Sequence, residues 1–414
     1  MPTTFGKASV IALTLILLAG SVRADSNWPG WRGPSANGHS AESGLPTKWS
    51  ADSVTWKAPL KGRGQSSATI WGDRIFLTTA VDNGKQRVVF CVDRNTGQTL
   101  WEKTAWTGEA EPSHHMNGWA SPTCATDGER VYAFFGKGGL HCYTVEGEQV
   151  WSKDLGPFTG PWGTASCPVL VGDMVIQNCD ADQDAYITAV NKKTGEAIWK
   201  TKRENFRGWS TPVLIKTAKR VELVTNGHTG VRAYDPVTGK DLWFCKGFRG
   251  RGTPTVAAGN GLIHVINGQP GDIYAVKPGG SGTVTDTHMA WHTTRKGGRD
   301  LPSPLVVGKY LLGMNIKGIL TCYDSPTGKQ LWQERIGGNF SAAPVSFAGL
   351  AFFISEAGET VVVKPGDKPN IVATNKLNAA DDEIFRASIT PSDGQLFVRS
   401  DQVLYCIGKR KAAK

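Results

Sequence analysis

The sequence predicts an all-β protein, and three observations on its composition support that fold class. The 414 residues include 50 Gly and 22 Pro, which is too many turn-forming residues for a helical bundle. The 15 Trp and a charged fraction of only 20% give the chain enough apolar surface to bury a core, so a disordered chain is excluded. At this length two or three ordinary domains are expected, unless one repeat architecture occupies the whole chain.

The N-terminus has the pattern of a secretory signal peptide. Lys7 precedes an apolar run from residue 10 to residue 20, and Val22 and Ala24 stand at the −3 and −1 positions that signal peptidase reads. We expect cleavage after Ala24. The run is about 11 residues long, whereas a membrane span needs roughly 20, and Ser21 stands where a lipoprotein would have its Cys. A periplasmic or secreted protein without a membrane span is therefore expected.

The body of the chain repeats one unit about every 40 to 55 residues. Each unit opens with small residues, usually before a Pro, and continues as an apolar strand. A second strand follows a Gly or Asp turn, and a third strand leads through a Thr-Gly turn to a fourth strand that ends in Trp. The eight openings are Ser66-Ser67-Ala68, Ser121-Pro122, Ser166-Cys167-Pro168, Thr211-Pro212, Thr253-Pro254, Ser303-Pro304, Ala343-Pro344 and Thr390-Pro391.

The turn before the fourth strand gives a mechanical reason for the repeat. Its clearest copies are residues 93–101, 191–199, 235–243 and 324–332. An Asp in this turn accepts hydrogen bonds from turn amides, and the Gly adopts a positive φ. The Trp fills the wedge where radially arranged sheets diverge. Eight four-stranded antiparallel units predict an eight-bladed β-propeller, in which radial repetition protects the sheet edges.

The ends of the chain predict how the ring closes. The last unit stops one strand short at residues 403–407, and residues 54–57 form an orphan fourth strand with its own Trp. We expect these segments to pair within one blade. The predicted organisation is a signal peptide at 1–24, a pre-blade segment at 25–50, the propeller at 51–408 and a basic tail at 409–414.

The repeat Ala/Cys-x-Asp-x-x-Thr-Gly-x-x-x-Trp resembles that of pyrroloquinoline-quinone (PQQ) enzymes and of the outer-membrane assembly lipoprotein BamB. The pre-blade segment Trp28-Pro29-Gly30-Trp31-Arg32-Gly33-Pro34 narrows the resemblance to the exported PQQ-binding-like β-propeller repeat proteins of bacteria, often labelled BamB-like. So do the motifs Ala133-Phe134-Phe135-Gly136 and Leu404-Tyr405-Cys406-Ile407-Gly408. The resemblance implies eight blades over about residues 50–408, and it does not imply a cofactor.

A quinoprotein dehydrogenase is the alternative function. The resemblance implies that such an enzyme would hold PQQ in the central funnel, with Ca²⁺ on Glu, Asn and Asp ligands and an Asp as base. This chain has no adjacent Cys pair and no Cys-x-x-Cys-His haem motif. No cofactor is therefore expected, and we name no catalytic residue. Carboxylates in the loops before the openings are few and scattered: Glu204, Asp300, Asp381, Asp382 and Glu383.

Two motifs resemble metal sites only in part. Residues 180–184, Asp-Ala-Asp-Gln-Asp, carry the alternate carboxylates of a Ca²⁺ loop but lack its Gly at the sixth place and Glu at the twelfth. We expect a solvated hairpin there. The pair His114-His115 lacks further ligands at metal-site spacing. No metal site is predicted.

The cysteines are expected to act mainly as packing residues. Four cysteines fall at one repeat position, where two other units have Ala. This position therefore requires a small buried side chain, and a free Cys provides one. The other four lie in neighbouring units, and disulfides among them stay open because the connectivity cannot be read from sequence. The first four are Cys91, Cys142, Cys322 and Cys406, and the others are Cys124, Cys167, Cys179 and Cys245.

The net charge of +10 does not indicate a nucleic-acid partner. Two of the surplus charges lie in the signal peptide and four in the basic tail, which leaves the body at about +4. Export also disfavours nucleic acid as the partner.

The loops that precede the openings, here called the mouth loops, are the predicted binding site. Arg, Trp, His and Asn are the anchors that a concave mouth on a propeller axis would use for recognition. We predict a monomeric, non-catalytic binding or scaffold protein for a peptide segment, an anionic small molecule or an anionic oligosaccharide. The alternative is that each Trp packs between blades and each Arg pairs with a carbonyl or an acid. The candidate residues are His115, Asn117, Trp119, Trp162, Arg207, Trp209, Arg249, Arg251, Arg299 and Arg386.

Overall fold

The computed structural model describes residues 26–248, 251–268, 271–295 and 300–410. Over these ranges the chain forms eight sheets in a ring, each with four antiparallel strands, which confirms the predicted eight-bladed propeller. The predicted signal peptide lies outside the described residues, as do the last four residues of the predicted basic tail. None of the helices in the described ranges is long and apolar enough to cross a membrane.

Each blade runs from an innermost strand, a, at the propeller axis to an outermost strand, d. Blade 1 consists of Thr69–Trp71, Arg74–Val81, Gln86–Asp93 and Thr99–Thr107, and blade 2 of Ala125–Thr126, Arg130–Phe134, Leu140–Thr144 and Gln149–Lys153. Blade 3 consists of Val169–Val171, Met174–Cys179, Tyr186–Asn191 and Ala197–Lys202, and blade 4 of Val213–Lys216, Val221–Asn226, Gly230–Tyr234 and Asp241–Lys246. Blade 5 consists of Ala257–Gly259, Leu262–Ile266, Ile273–Val276 and Met289–Thr293, and blade 6 of Leu305–Val307, Tyr310–Met314, Ile319–Asp324 and Gln330–Arg335. Blade 7 consists of Val345–Phe347, Leu350–Ile354, Thr360–Val363 and Ile371–Asn375, and blade 8 of Thr390–Ser392, Gln395–Arg399, Val403–Ile407 and Val54–Pro59. The remaining elements are the strand Gly282–Thr283, the α-helix Thr285–His288 and the 3-10 helices Ala51–Ser53 and Gly136–Gly138.

Blade 8 closes the ring with strands from both ends of the described chain. Val54–Pro59 pairs antiparallel with Val403–Ile407, and Lys57 stands opposite Tyr405. The amide of Leu60 extends the ladder by donating to the Gln402 carbonyl at 2.8 Å. The predicted closure is therefore confirmed, and two strands that would otherwise be open edges are paired.

The seams between blades are built on the Trp of strand d, which is the third residue of this strand and not its last as the sequence predicted. In six seams the Nε1–H of this indole donates to a backbone carbonyl in the c–d turn of the next blade, at 2.8–3.2 Å. In the turn of blade 4, Asp235 Oδ1 accepts the amides of Val237 and Thr238, and Gly239 adopts φ +71° beneath the ring of Trp199. The repeat motif thus joins neighbouring blades as well as closing its own hairpin. The six donors are Trp56, Trp101, Trp151, Trp199, Trp291 and Trp332.

The seam between blades 4 and 5 departs from this pattern. Trp243 donates to Glu222 Oε2 of its own blade at 2.8 Å instead of reaching the next turn. The c–d connection of blade 5 is long, and its segment Gly282–Thr283 pairs in parallel with strand d of blade 4 as a fifth strand. Glu222 also accepts the amide of Gly279 from that connection at 3.2 Å. The irregular fifth unit therefore covers the outer edge of blade 4.

The seam between blades 7 and 8 receives its Trp from the pre-blade segment. Blade 7 has no Trp on strand d, and Trp49 stacks on Phe352 with ring centroids 6.2 Å apart. The Trp49 amide donates to Asn375 Oδ1 at 2.9 Å, and Leu45 joins the same apolar core. The pre-blade segment is therefore an integral part of this seam.

The first part of the pre-blade segment crosses one end of the central channel. The Pro29 carbonyl accepts the amide of Thr126 in blade 2, and the side chain of Arg32 reaches the Pro304 carbonyl in blade 6, on the opposite side of the ring. Farther along, the Gly38 carbonyl accepts the amide of Ser346 in blade 7 at 2.7 Å. The segment therefore covers this end of the channel, which lies opposite the mouth loops.

All eight cysteines lie in the described part of the chain, and each is buried with a free thiol. Burial raises the pKa of the four thiols at the repeat position to about 12, so these thiols stay uncharged at neutral pH. They pack in strand c as small apolar side chains, which agrees with the expected role. These four are Cys91, Cys142, Cys322 and Cys406.

We expect Trp199→Ala to destabilise the protein by about 3–5 kcal/mol, because it removes the ring that fills the seam between blades 3 and 4. Trp199 is 9% exposed, whereas the neighbouring Ile198 is 47% exposed on the same strand. Ile198→Ala is the matched control and should change the stability by no more than about 0.5 kcal/mol. Urea unfolding measures both. Equal losses for the two variants would contradict the seam as the main source of inter-blade stability.

Ring closure is tested by shortening the C-terminus. A chain that ends at Gln402 lacks Val403–Ile407, which leaves Val54–Pro59 without a partner and one edge of Gln395–Arg399 open, so we expect aggregation or loss of cooperative unfolding. A chain that ends at Arg410 keeps the strand and should unfold like the full protein. Size-exclusion chromatography and thermal scans compare the two. A monomeric 402-residue chain with an unchanged melting profile would show that closure is dispensable.

Candidate functional site

The mouth loops converge on a cavity at the propeller axis. In all eight blades the residue two positions before strand a lines this cavity. We call these residues the inner ring. They are Ser67, Thr123, Cys167, Thr211, Thr255, Ser303, Ala343 and Ser388.

The Ser-Pro and Thr-Pro pairs that mark the units in the sequence do not share one structural position. Thr211 and Ser303 belong to the inner ring, but Ser121 and Thr253 stand two residues before it and Thr390 stands two residues after it. The unit count was therefore right and the alignment of three openings was wrong. Proline fits at several places around the start of strand a because the inner end of a blade has irregular backbone on both sides.

Hydrogen bonds tie the inner ring together from blade to blade. In each link the backbone N–H of one ring residue donates to the side-chain oxygen or sulfur of the next, at 2.8–3.2 Å. Ala343 lacks such an acceptor, so the chain of links is interrupted at blade 7. The links run from Ser67 to Thr123, Thr123 to Cys167, Cys167 to Thr211, Thr211 to Thr255, Thr255 to Ser303 and Ser388 to Ser67.

A second set of eight residues, the mouth ring, stands two positions earlier in each blade. Together the two rings, one Trp at the closed end and several loop residues enclose about 180 Å³. Trp31 of the pre-blade segment lies at the closed end. The loops add His114, Met116, Asn117, Trp162, Arg251 and Gly268. The mouth ring consists of Gln65, Ser121, Ala165, Trp209, Thr253, Leu301, Ser341 and Arg386.

Trp162 is the centre of the aromatic and cationic side of the cavity. Its ring lies 5.9 Å from that of Trp209 in a stacked arrangement, and the Nε1–H of Trp209 donates to the Gly163 carbonyl at 2.9 Å. The guanidinium carbons of Arg251 and Arg207 lie 4.0 and 4.5 Å from the Trp162 ring centroid. Both distances are within the range of a cation–π interaction.

Asn117 joins the mouth loops of blades 2 and 3. Its Nδ2 donates to the Trp162 carbonyl at 2.7 Å, and its backbone carbonyl accepts Gln65 Nε2 at 2.8 Å. Its Oδ1 accepts the hydroxyl of Ser121. These bonds fix the position of Trp162 relative to the ring, so the stacking surface is held in place before a ligand arrives.

Two of the predicted arginines have carboxylate partners within the protein. Arg207 forms a two-point ion pair with Asp182 at 2.7 and 2.8 Å. Arg386 donates from Nε to Glu356 at 3.0 Å and from Nη1 to the His115 carbonyl at 2.9 Å. Arg207 and Arg386 therefore follow the alternative interpretation, in which an Arg of the mouth loops pairs with an acid or a carbonyl of the protein. Asp182 and Asp180, which binds Arg203, are also not the solvated hairpin carboxylates that we expected.

The remaining candidates lie away from the cavity wall or outside the described residues. Trp119 donates to the Glu111 carbonyl and covers the guanidinium of Arg87. The His115 ring is exposed, and its centroid lies 4.1 Å from that of His114 with the two rings tilted by 38°. Arg249 and Arg299 are outside the described residues. Five of the ten candidates therefore line the cavity: Asn117, Trp162, Trp209, Arg251 and Arg386.

Sequence reasoning missed the inner ring, Trp31 and all of the mouth ring except Trp209 and Arg386. Most of the missed ring residues are Ser, Thr, Ala or Cys, which look like ordinary turn formers. A count of two and four positions back from each predicted strand a would have found them once the strands were aligned in one register. Trp31 had no comparable signal, because its position depends on where the pre-blade segment crosses the channel.

A PQQ–calcium pair finds few suitable ligands in this cavity. Calcium prefers carboxylate and carbonyl oxygens, and the described residues of the lining include no Asp or Glu. Glu356 lies behind the lining and is engaged by Arg386 and Ser341. Asp300 is fully buried and ion-paired with Arg295. The described lining therefore does not fit a calcium-bound quinone.

Three solved structures share this fold. BamB from Moraxella catarrhalis aligns with a TM-score of 0.61 and 14% identity over 87% of this chain and 98% of that chain. The quinohemoprotein alcohol dehydrogenase from Comamonas testosteroni aligns with a TM-score of 0.68 and 12% identity over 94% and 82%. The computationally designed protein Ika8 aligns with a TM-score of 0.59 and 11% identity over 85% and 99%. At these identities the similarity shows the fold alone.

Comparison with curated proteins gave no match. The family model described as outer membrane protein assembly factor BamB matches residues 84–269 and 230–381, which together span more than half of the chain. The chain therefore belongs to the family of the outer membrane protein assembly factor BamB.

Proposed function

We propose that this protein is an exported, non-catalytic binding propeller whose axial cavity takes a small carboxylate-bearing ligand, such as the acidic end of a peptide segment. The observation that carries the proposal is the cavity lining itself. It combines a stacked pair of tryptophans, the guanidinium of Arg251 and two rings rich in hydroxyl groups, and its described residues include no carboxylate.

The hydroxyl groups of the inner ring favour an acceptor-rich ligand. The oxygens of Thr123, Thr211, Thr255, Ser303 and Ser67 each accept a backbone N–H from the neighbouring blade. The Thr255 hydroxyl donates to the Thr211 carbonyl at 3.4 Å, and the other four hydroxyls each have an O–H proton to donate to a ligand. A ring of such donors around the axis complements carboxylate oxygens better than it complements a cation or an apolar group.

The aromatic wall adds attraction for a flat or apolar part of the ligand. Trp162 and Trp209 present stacked rings, and Arg251 lies over Trp162. A guanidinium held on an aromatic face still offers its N–H groups in the ring plane, where a carboxylate binds in two-point geometry. Arg251 lines the cavity and lies against the ring of Trp162, so it is the described arginine on which the proposal places most weight.

The size of the cavity favours a small group over a folded domain. A space of about 180 Å³ accommodates one or two side chains or a small organic acid. The BamB family membership supports protein binding in general, and a chain terminus or an acidic loop is the part of a protein that fits this space. A small organic acid or an anionic oligosaccharide is the other outcome that the experiment distinguishes.

The proposal is tested with three probes: tetraglutamate, trigalacturonate and tetraalanine, the last with an acetylated N-terminus and an amidated C-terminus so that it carries no charge. Titration calorimetry should detect the anionic probes only, and their affinity should fall as KCl is raised from about 20 to about 500 mM, because salt screens exposed charges. Trp162→Ala and Arg251→Gln should each weaken binding about tenfold or more, which is the effect of losing a desolvated cation–π contact. Tighter binding of tetraglutamate than of trigalacturonate would indicate a peptide ligand, and the reverse order of affinities would indicate a sugar acid.

The matched control is Arg232→Gln. Arg232 lies on strand c of blade 4, one-third exposed, and interacts with Asp241 away from the lining. Its substitution should leave the affinities unchanged. Equal binding of tetraalanine, or equal affinities for the wild type and the Trp162→Ala and Arg251→Gln variants, would exclude the cavity as the site. Calorimetry with PQQ and Ca²⁺, followed by a dye-linked dehydrogenase assay, tests the alternative, and turnover would replace the binding proposal.

A further inference from the structure

The closed end of the channel contains a buried arginine without an acidic partner among the described residues. Arg32 is 1% exposed and follows Trp31, whose ring centroid lies 5.7 Å from the guanidinium carbon. Its backbone φ is 61°, in the left-handed region that non-glycine residues avoid. The fold therefore tolerates local strain in order to place this guanidinium beneath the cavity.

Within the described part of the chain, one of the three guanidinium nitrogens of Arg32 has hydrogen-bond acceptors and the other two have none. Nη2 donates to the carbonyls of Asn37 and Pro304 at 3.0 and 2.8 Å, which uses both of its N–H groups. Nε and Nη1 are buried and meet no hydrogen-bond acceptor of the described protein. Burial lowers the pKa of Arg32 to about 10, and no carboxylate among the described residues raises it again. The guanidinium is nevertheless charged at neutral pH.

Other buried arginines of this protein are compensated in ways that Arg32 is not. Arg399 has no carboxylate in direct contact, but both of its Nη atoms donate to oxygens of Ser66 and Thr78. Three further arginines form close ion pairs with buried or nearly buried acids. These pairs are Arg87 with Glu111, Arg203 with Asp180 and Arg295 with Asp300.

A buried charge without a counter-charge is strongly destabilising. Water would give the free N–H groups an acceptor but would leave the charge uncompensated, whereas an anion does both. We propose that the base of the channel binds one small anion, held by the Nε–H and Nη1–H groups of Arg32. This site is separate from the mouth of the cavity and does not depend on the function proposed above.

The surroundings of Arg32 select a small anion. Gly38 faces the guanidinium, and a methyl group at this position would lie 3.3 Å from Nε and 3.0 Å from the Pro344 carbonyl oxygen. Burial and the charge of Arg32 lower the pKa of the neighbouring His39. The imidazole of His39 therefore stays neutral at neutral pH and does not compete with Arg32 for the anion. The proposed occupant is therefore chloride or a single carboxylate group. The carboxylate can come from a free ion such as formate or from a ligand that extends down from the cavity.

The test measures the melting temperature at constant ionic strength in potassium salts of chloride, formate and a bulky sulfonate. We expect a saturable rise with chloride and formate for the wild type, because a ligand that binds only the folded state stabilises it. Arg32→Met should show no such rise, and Arg232→Gln, the surface control, should behave like the wild type. An equal response of Arg32→Met and wild type, or no difference among the anions for the wild type, would overturn the proposal.

Chloride NMR gives a second measurement that does not require a stable variant. The wild-type protein should broaden the ³⁵Cl line, and formate should restore it by competition; an unbroadened line would overturn the proposal. Adding tetraglutamate separates the two sources of carboxylate. If the peptide narrows the line, a ligand carboxylate reaches Arg32, and if the line stays broad, the site holds a free ion. Both results keep the anion site, and neither depends on whether tetraglutamate binds at the mouth.

Discussion

The contact between the Trp of one blade and the c–d turn of the next is the interaction on which the propeller depends. A single four-stranded blade has two apolar faces and cannot bury either one alone. The Trp covers this surface and fixes the rotation between blades, since its Nε1–H reaches one specific carbonyl in the next turn. Because the turn Asp and Gly shape the surface that receives the ring, a short sequence motif determines both the hairpin and the seam.

The same regular rotation builds the binding cavity. Eight equivalent backbone positions meet at the axis, and at six of them the N–H donates to a side chain of the next blade. This geometry gives the cavity a rigid wall of hydroxyl groups without any dedicated element. Specific chemistry then enters where the repeat is broken, at Trp162 and Arg251 in long mouth loops and at Trp31 in the pre-blade segment.

The tertiary structure neutralises part of the positive charge that the sequence places in the mouth loops. Arginines from several blades suggest a strongly cationic funnel, but Asp182 and Glu356 neutralise two of them within the protein. Both acids come from loops distant in sequence from their partners. Ion pairs of this kind hold the loops in place, and they leave the stacking face of Trp162 and the guanidinium of Arg251 as the distinctive features of the lining.

The sequence by itself determined the number of blades, the strand order within each blade and the closure of the ring, because these follow from a local motif that recurs with a regular period. It also determined the packing role of Cys91 and its equivalents, since a small residue recurs at one buried position. Only the tertiary structure decided which side chains face the axis. The loops before strand a have irregular backbone, so a shift of two positions along the sequence points a side chain in a different direction. It alone placed Trp49 in the seam that lacks a Trp and Arg32 beneath the cavity. The positions of both depend on contacts with blades some 270 or more residues away in the chain, which no local pattern encodes.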